Sequence, residues 1–380
     1  MNTVYIIADN MISSLGFNSS EHVEKLRKSQ SGILPCNNSS LYPTPFQASL
    51  IDVSRLDHMK SDIEFVDKFT KLEQLHILSV RDCLSQANVD LSSEKTLFVF
   101  STTKGNIDLL SKNYVGGIDA KRAYLHEMAK AISEYFNNPV NPVVVSNACI
   151  SGVLAVNMAR DFINSGIYDN VVVTGGDLAA EFTISGFQSF KAISENPCKP
   201  YDASRDGITI GEACSTVILS KNANGSNILV AGGGSSNDAN HISGPSRTGD
   251  GLMMACEKAV AEGMVEVSNI DFVSAHGTAT VYNDEMESKA FNWLGVQNIP
   301  LNSFKGYWGH TLGAAGIIEI VASTHSMRNN ELYKSAGFEQ IGIPESLNVI
   351  SAYKKDKVDI VLKTASGFGG CNAATVLVKE

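Results

Sequence analysis

One pattern occurs twice in this chain and constrains its fold more than any other feature of the sequence. The β-branched run Val143–Val145 leads into Cys149, and a helical pattern of small and apolar residues follows. The apolar run at residues 272–275 leads into His276, and a helical pattern follows again. Strands that alternate with helices pack into α/β layers. We therefore predict an α/β fold in which two strands each present a reactive residue before a helix.

The two copies of this pattern lie on either side of a polar segment, residues 221–227. Such a segment is typical of a connection between structural units. The chain has 380 residues, which at about 150 residues per domain allows two to three units. We predict two halves of similar design, with the cysteine in residues 1–222 and the histidines in residues 223–380.

Composition excludes several classes of protein. The chain has 30 Lys and Arg and 40 Asp and Glu side chains, so its net charge of −10 is opposite to that of a nucleic-acid-binding surface. Its longest apolar stretch covers about 12 residues and contains Glu319, whereas a membrane-spanning helix needs about 20. The seven cysteines form no Cys-x-x-Cys pair, and the N-terminus lacks a basic leader. We expect a cytoplasmic protein without a membrane span, a disulfide framework or a metal.

Cys149 is the first candidate for a reactive group. A thiol at the start of a helix feels the positive end of the helix dipole, which favours the thiolate. On this local context alone, a buried structural cysteine is an equally good interpretation.

Two histidines differ from the others in their surroundings. His276 and His310 are each flanked by glycines and small hydroxyl residues, as at a substrate site. A single histidine of this kind is more often a core residue, but a cysteine with two imidazoles supplies a nucleophile and groups that move protons or bind an oxyanion. Four further histidines lie in polar, helix-like stretches and are predicted at the surface: His22, His58, His76 and His126.

Five motifs occur in a fixed order over nearly the whole chain. They are Asn-Ala-Cys at 147–149, Asp-x-x-Arg-Asp-Gly at 202–207, His-Gly-Thr-Ala-Thr at 276–280, Gly-His-Thr-Leu-Gly-Ala-Ala-Gly at 309–316 and Gly-Phe-Gly-Gly-Cys-Asn at 367–372. This order resembles that of the elongating, Cys-His-His type of β-ketoacyl–acyl carrier protein synthase, in the thiolase-like superfamily. The resemblance implies a five-layer α-β-α-β-α fold made of two similar halves.

The resemblance also implies an activity, decarboxylative Claisen condensation. Cys149 would take an acyl group from a carrier protein, and His276 and His310 would bind the malonyl thioester and promote loss of carbon dioxide. Lys305 would lie near the two histidines, with Glu319 as its partner. No cofactor is implied, because the substrates are carried on the phosphopantetheine of an acyl carrier protein.

Further residues receive roles from the same resemblance. Phe368 would act as a gate beside the cysteine, and its backbone N–H would form an oxyanion hole with that of Cys149. Asp284 would support the first histidine motif. Substrate-binding roles are implied for Thr278, Thr280, Gly369 and Gly370.

Carrier proteins are acidic, so a basic patch is expected at the mouth of the site. The candidates are Arg205, Lys60, Lys68 and Lys71, and a solvated face is the alternative interpretation of the three lysines. The family is dimeric, which implies a homodimer or a heterodimer with a related synthase-like chain.

Several departures from the family pattern favour a specialised polyene or polyketide pathway over housekeeping fatty-acid synthesis. They include Val281-Tyr282, Tyr307-Trp308 and Ser366, all in motifs near the site. One alternative is a subunit, active or inactive, of a synthase/chain-length-factor heterodimer. The other is an acyl-CoA thiolase, whose second catalytic cysteine Cys371 would represent, although we interpret Cys371 as a replacement for the usual Thr.

Overall fold

The computed structural model describes residues 3–238 and 244–380. The strands are β1 (Tyr5–Ser13), β2 (Leu34–Cys36), β3 (Phe46–Ser49), β4 (Thr96–Ser101), β5 (Val143–Val145), β6 (Asn170–Asp177), β7 (Ile210–Gly211), β8 (Ala213–Ser220), β9 (Ile228–Asn237), β10 (Phe272–Ser274), β11 (Leu301–Asn302), β12 (Glu331–Leu332), β13 (Lys354–Lys355), β14 (Ile360–Gly367) and β15 (Cys371–Lys379).

The α-helices are α1 (Ser19–Arg27), α2 (Val53–Met59), α3 (Lys71–Gln86), α4 (Leu125–Tyr135), α5 (Ser151–Asn164), α6 (Glu181–Ser189), α7 (Asp250–Glu262), α8 (Val281–Leu294), α9 (Lys305–Trp308) and α10 (Ala315–Asn329). Short 3₁₀ helices cover Lys60–Asp62, Val66–Lys68, Ile107–Leu110, Ala120–Ala123, Val267–Asn269 and Leu312–Ala314. Within the two described ranges, no helix is both long enough and apolar enough to cross a bilayer.

The central sheet repeats one five-stranded arrangement. Its order is β11-β10-β14-β15-β9-β1-β8-β6-β4-β5. From β1 outward, two antiparallel pairings precede two parallel ones. From β9 outward, the same sequence of pairings recurs. The two half-sheets meet where Tyr5 of β1 pairs with Leu229 of β9. The predicted boundary at 222/223 lies in the segment that joins β8 to β9.

Helices and half-sheets form five layers. α5 and α10 contact strands of both halves and make up the middle layer. α3 covers the outer face of the first half-sheet, while α7, with α8 packed on it, covers the outer face of the second. This arrangement confirms the predicted five-layer α-β-α-β-α fold of two similar halves. A middle layer is covered on both sides, which explains why α10 is buried over nearly its whole length.

Two histidines that we predicted at the surface are buried, so those predictions are wrong. The two ring nitrogens of His22 lie 2.7 Å from Ser13 Oγ and 2.9 Å from the backbone oxygen of Asn18. Nδ1 of His76 lies 2.8 Å from Oγ1 of Thr174. Burial lowers the pKa of His22 to about 4 and that of His76 to about 3. The surface prediction relied on the polar residues next to each histidine in the sequence. Those residues do not show that the histidine itself lies on the inward face of its helix.

Candidate active site

The turn between β5 and α5 places Cys149 at the start of a central helix. Ser151 holds this turn, because its Oγ accepts from the backbone N–H of Asn147 at 2.8 Å and donates to the backbone oxygen of Ala148 at 2.7 Å. Ala148 has a φ of +45°, a left-handed conformation that costs energy for a residue with a side chain. The strained turn directs the Cys149 thiol, which is 7% exposed, into a cavity.

Two opposing effects, burial and the helix dipole, act on the pKa of the Cys149 thiol. Burial raises the pKa of Cys149 to about 12, and the nearby Cys371 adds to this effect, whereas the Lys305 ammonium and the Phe368 N–H lower it. A helix dipole contributes at most about 2 kcal/mol, or roughly 1.5 pKa units. Burial is therefore the larger effect, and the resting group is a neutral thiol.

His276 lies on the loop between β10 and α8, and carboxylates of α8 hold this loop. The two Glu287 oxygens accept from the backbone N–H groups of His276 and Gly277 at 2.9 and 2.7 Å. Asp284 accepts from the backbone N–H of Thr278 at 3.0 Å. Both carboxylates are buried. The His276 backbone is therefore fixed by hydrogen bonds to the carboxyl groups of two buried side chains.

His310 faces the same cavity from the loop after α9. Its backbone N–H donates to the oxygen of Thr209 at 2.7 Å, and its Nδ1 accepts from the backbone N–H of Leu312 at 3.3 Å. An accepting Nδ1 leaves the proton of the neutral ring on Nε2. That Nε2 is buried, and no group in the described ranges forms a hydrogen bond with it. Its N–H is thus available to a substrate oxygen.

The cysteine and the two histidines form one cluster. The Cys149 sulfur and one ring nitrogen from each histidine all lie within 4.8 Å of one another. The two imidazoles stand nearly perpendicular, with ring centroids 5.3 Å apart. The fold therefore brings together the three residues that the sequence predicted as the reactive set, although they come from segments more than 30 residues apart.

Lys305 and Glu319 lie directly behind His276. The Lys305 ammonium donates to the His276 backbone oxygen at 2.6 Å and lies 3.2 Å from its Nδ1. The same ammonium is paired with Glu319 at 2.7 Å, and both side chains are 1% exposed. Since an ammonium only donates, Nδ1 of His276 accepts and its Nε2 carries the proton.

Both imidazoles are neutral. Burial, followed by the positive charge of Lys305, lowers the pKa of His276 and of His310 well below the usual value. A thiol with two imidazoles at this distance is also a donor set for Zn²⁺. Here, however, both Nε2 atoms carry protons, and an ammonium stands beside the cluster. The cluster is therefore better suited to donating hydrogen bonds to an oxygen than to holding a cation.

The cavity in front of this cluster has a volume of about 750 Å³. Thr278 and Thr280, predicted to bind substrate, line it, and their hydroxyl oxygens lie 2.9 Å apart. Phe368 also lines it, is 38% exposed and contacts the rings of Phe187 and Phe190. The backbone N–H of Phe368 faces Cys149 closely enough to lower the pKa of its thiol.

Comparison with known proteins identifies the family. The family model described as "Beta-ketoacyl synthase, N-terminal domain" matches residues 1–224, and "Beta-ketoacyl synthase, C-terminal domain" matches residues 228–339. The chain belongs to the β-ketoacyl synthase family. A similar relative is the 3-oxoacyl-[acyl-carrier-protein] synthase 2 of Rhizobium meliloti, 33% identical over 252 residues, or 61% of this chain and 59% of the relative.

Two solved structures are similar to this synthase over its whole length. One is the ketosynthase ApeO in complex with its chain length factor ApeC from Xenorhabdus doucetiae, with a TM-score of 0.89, 24% identity and coverage of 100% of this chain and 98% of the other. The second is the ishigamide ketosynthase/chain length factor, with a TM-score of 0.89, 25% identity and coverage of 100% and 99%.

Two predicted substrate-binding residues of the synthase, Gly369 and Gly370, form a turn next to the cavity. Gly369 and Gly370 do not line the cavity, to which the gate loop contributes Ser366, Gly367 and Phe368 among the described residues. Their φ angles of +90° and +75° form the turn between β14 and β15. These glycines permit the turn that carries Phe368, because residues with side chains rarely adopt such angles.

Arg205 is also placed differently from our prediction of a carrier-protein contact. Its side chain is 5% exposed and lies 3.8 Å from both Asp284 and Glu285. It donates to the backbone oxygens of Asp202 and Gly342. The guanidinium is therefore used within the fold, and this argues against a contact with the carrier.

The three lysines predicted to contact the carrier lie at the edge of the first half. Lys60 is paired with Asp57, and Lys68 lies over the ring of Phe65. Lys71, at the start of α3, is paired with the nearly buried Glu212 at 2.9 Å. Lys68 is exposed and Lys60 is partly exposed, so their role in docking stays a prediction.

Cys371 lies beside the nucleophile turn. It is buried, and its thiol donates to the backbone oxygen of Phe368 at 3.3 Å and lies 3.9 Å from that of Asn147. These are contacts that a threonine hydroxyl would also make. They agree with our interpretation of Cys371 as a threonine replacement that ties the gate loop to the nucleophile turn.

Sequence reasoning missed one charged residue of this site. Lys363, on β14, is completely buried and pairs with the second oxygen of Glu319 at 2.7 Å. A lysine in the middle of an apolar strand was the available signal, because such a residue is buried only when it is paired.

Proposed function

We propose that this chain is a β-ketoacyl–acyl carrier protein synthase, an acyltransferase that extends a fatty-acid, polyene or polyketide chain by decarboxylative condensation. One observation carries the proposal: a thiol at a strained helix-start turn faces two neutral imidazoles whose Nε2–H groups point to a shared cavity. This arrangement supplies a nucleophile and two hydrogen-bond donors for one substrate oxygen. It needs no cofactor other than the phosphopantetheine that carries the substrates.

The first step transfers an acyl group to the enzyme. The Cys149 sulfur attacks the carbonyl carbon of the acyl–phosphopantetheine thioester and forms a new carbon–sulfur bond. The bond to the pantetheine sulfur breaks, and that sulfur leaves as a thiol with the proton that Cys149 gives up. During attack, the carbonyl oxygen gains negative charge, which the backbone N–H groups of Cys149 and Phe368 stabilise.

The second step generates the carbon nucleophile. The malonyl thioester enters the same cavity, and its carbonyl oxygen accepts from Nε2–H of His276 and of His310. The bond to the carboxylate breaks, carbon dioxide leaves, and the electron pair forms an enolate on that oxygen. Neutral imidazoles stabilise this charge by donation, and Lys305 holds His276 in the donating tautomer through Nδ1.

The third step forms the product. The enolate carbon attacks the acyl–Cys149 carbonyl, a carbon–carbon bond forms, and the Cys149 sulfur is expelled. The β-ketoacyl chain remains on the carrier that brought the malonyl group. The expelled Cys149 thiolate takes up one proton from water and returns to the neutral thiol favoured by its burial.

We further propose that the partners are an acyl carrier protein and a second synthase-like chain, in a specialised pathway. The likeness to the ishigamide ketosynthase/chain length factor supports a heterodimer. The departures at Val281-Tyr282 and Ser366 support an unusual acyl chain, because these residues line the cavity. The cysteines in the described ranges are all free and buried, which supports the predicted cytoplasmic location.

Intact-protein mass spectrometry tests this proposal. The purified chain, alone and with its candidate partner chain, is mixed with a panel of acyl carrier proteins and, in parallel, with the same acyl groups on coenzyme A. We expect an acyl-sized mass gain from carrier-bound donors that Cys149→Ala abolishes. A gain from coenzyme A donors alone would favour the thiolase alternative. No gain in the presence of the partner would contradict the proposed function.

A further inference from the structure

The site contains two buried lysines on one carboxylate. Glu319, on the central helix α10, accepts a hydrogen bond from Lys305 at Oε1, and its Oε2 forms an ion pair with the Lys363 ammonium, each at 2.7 Å. All three side chains are at most 1% exposed. Lysine is among the residues least often buried, and burying a second one beside a single carboxylate leaves an excess of positive groups. A feature with this cost calls for a function.

Lys363 connects the segments that build the site. It lies on β14, five residues before Phe368. Its ammonium donates to the backbone oxygen of Ser274 at 3.2 Å, and Ser274 ends β10 two residues before His276. A further donation goes to the oxygen of Thr364. One ammonium group thus contacts three elements: β14, which leads to Phe368, β10, which leads to His276, and α10, which carries Glu319.

The two oxygens of Glu319 pair with different lysines. Oε1 holds Lys305, which in turn contacts both the backbone oxygen and Nδ1 of His276. A carboxylate with a free second oxygen rotates toward the nearest donor, since unpaired buried charge is costly. Without Lys363, Lys305 would be the one cation paired with Glu319 among the described residues, and a bidentate contact would draw it away from His276. The Lys363 ammonium, 2.7 Å from Oε2, neutralises this oxygen as an ion-pair partner and so opposes the rotation.

We propose that Lys363 is a positioning residue for the decarboxylation step, which it supports by holding Glu319 and, through it, Lys305 against His276. This inference rests on the proposed function. Lys363 does not line the cavity found among the described residues, so it acts through its neighbours. Burial lowers the pKa of Lys363, and the nearby Glu319 and Glu287 carboxylates counteract that effect.

The two half-reactions test the proposal. Lys363→Met removes the ammonium and keeps much of the side-chain length. We expect Cys149 acylation, followed by mass spectrometry, to stay within about 2-fold of the wild-type rate, because that step does not use His276. Carbon dioxide release from malonyl-carrier protein should fall by about 10- to 100-fold, as expected for a misplaced catalytic group. The control is Lys379→Met, which removes a lysine of the neighbouring strand β15. Lys379 is paired with Asp359, and its loss should change neither rate.

Rescue by a small cation separates positioning from a purely structural role. Lys363→Ser leaves space where the ammonium was, and methylammonium should restore carbon dioxide release at least 5-fold, whereas the larger tetramethylammonium should not. No rescue in a folded Lys363→Ser protein would overturn the proposal, as would a variant that stays unfolded with methylammonium present. A folded Lys363→Met protein with wild-type decarboxylation would also overturn it.

These results are distinguishable from failure of the proposed function. If the wild-type chain with its partner neither acylates Cys149 nor releases carbon dioxide, the proposed function fails, and the role of Lys363 in it fails as well. If the wild type performs both half-reactions and Lys363→Met performs them equally well, only the inference about Lys363 fails.

Discussion

Gly152 of α5 and Gly316 of α10 are in direct backbone contact. A Cβ atom on Gly152 would lie 2.9 Å from Cα of Gly316 and 2.8 Å from the backbone nitrogen of Ile317, closer than any real contact of this kind. α5 carries Cys149 at its start, and α10 carries Glu319 one turn beyond the contact. The distance between the nucleophile and the charged group behind the histidines is therefore set by two residues without side chains.

Gly152→Ala should destabilise the protein and slow acylation. Backbone atoms cannot move aside as a flexible side chain does, so we expect a loss of about 1–3 kcal/mol in the free energy of unfolding. Urea unfolding and Cys149 acylation measure the two effects. Gly186→Ala, in helix α6 with open space around its Cα, is the matched control and should be neutral or slightly stabilising. Equal stability of the two variants would contradict this prediction.

Alkylation of Cys149 should rise with pH without reaching a plateau below about pH 11. The pKa raised to about 12 by burial means that the thiolate fraction grows tenfold per pH unit across the neutral and mildly alkaline range. Iodoacetamide labelling from pH 6.5 to 9.5, followed at this residue by peptide mass spectrometry, measures the rate. A plateau between pH 7 and 9 would show that the resting group is a thiolate.

Decarboxylation should be insensitive to pH between about 6.5 and 8 as far as the histidines are concerned. The pKa values of His276 and His310 lie well below the usual value, so both rings stay neutral there and become charged only on further acidification. The rate of carbon dioxide release from malonyl-carrier protein is the measurement. Because the Lys305 charge contributes to both shifts, Lys305→Met should move the acid-side loss of activity to higher pH, in addition to lowering the rate.

Glu287 should make the protein less stable as pH rises. Burial, with the neighbouring Asp284, raises the pKa of Glu287 to about 7 from its ordinary 4.5. Between these values the folded state holds a proton that the unfolded state has lost, so the stability from this group declines as pH rises, by up to about 3 kcal/mol. We therefore measure the free energy of unfolding at pH 5 and at pH 8 for both proteins. The loss of stability between pH 5 and pH 8 should be smaller for Glu287→Gln than for the wild type. An identical pH dependence would contradict the assignment.

Arg205→Ala should reduce stability rather than affinity for the carrier protein. Its guanidinium donates to backbone oxygens inside the fold and lies near Asp284, so its removal should cost about 2–3 kcal/mol. The KM for the acyl carrier protein should stay within about 2-fold. Lys60→Ala, at a partly exposed position, provides the comparison, and a KM change confined to Arg205→Ala would restore the docking role.

The sequence by itself determined the reactive set and the layered fold through five motifs whose order resembles that of a known family. Cys149, His276 and His310 stand in local motifs of glycines and small residues, and such turns depend on neighbours along the chain. The repeated passage from strand to reactive residue to helix was sufficient to predict two similar halves. Patterns with a period of two or 3.6 residues carry this information because they reflect local geometry.

Only the tertiary structure decided which groups are buried and what each charge contacts. Lys363, Glu319 and Ser274 come from three separate elements, and nothing in their immediate sequence links them. The neutral state of the Cys149 thiol, the buried His22 and His76, and the inward guanidinium of Arg205 have the same origin. Desolvation and ion pairing depend on atoms brought together from distant parts of the chain, so they are properties of the packed fold.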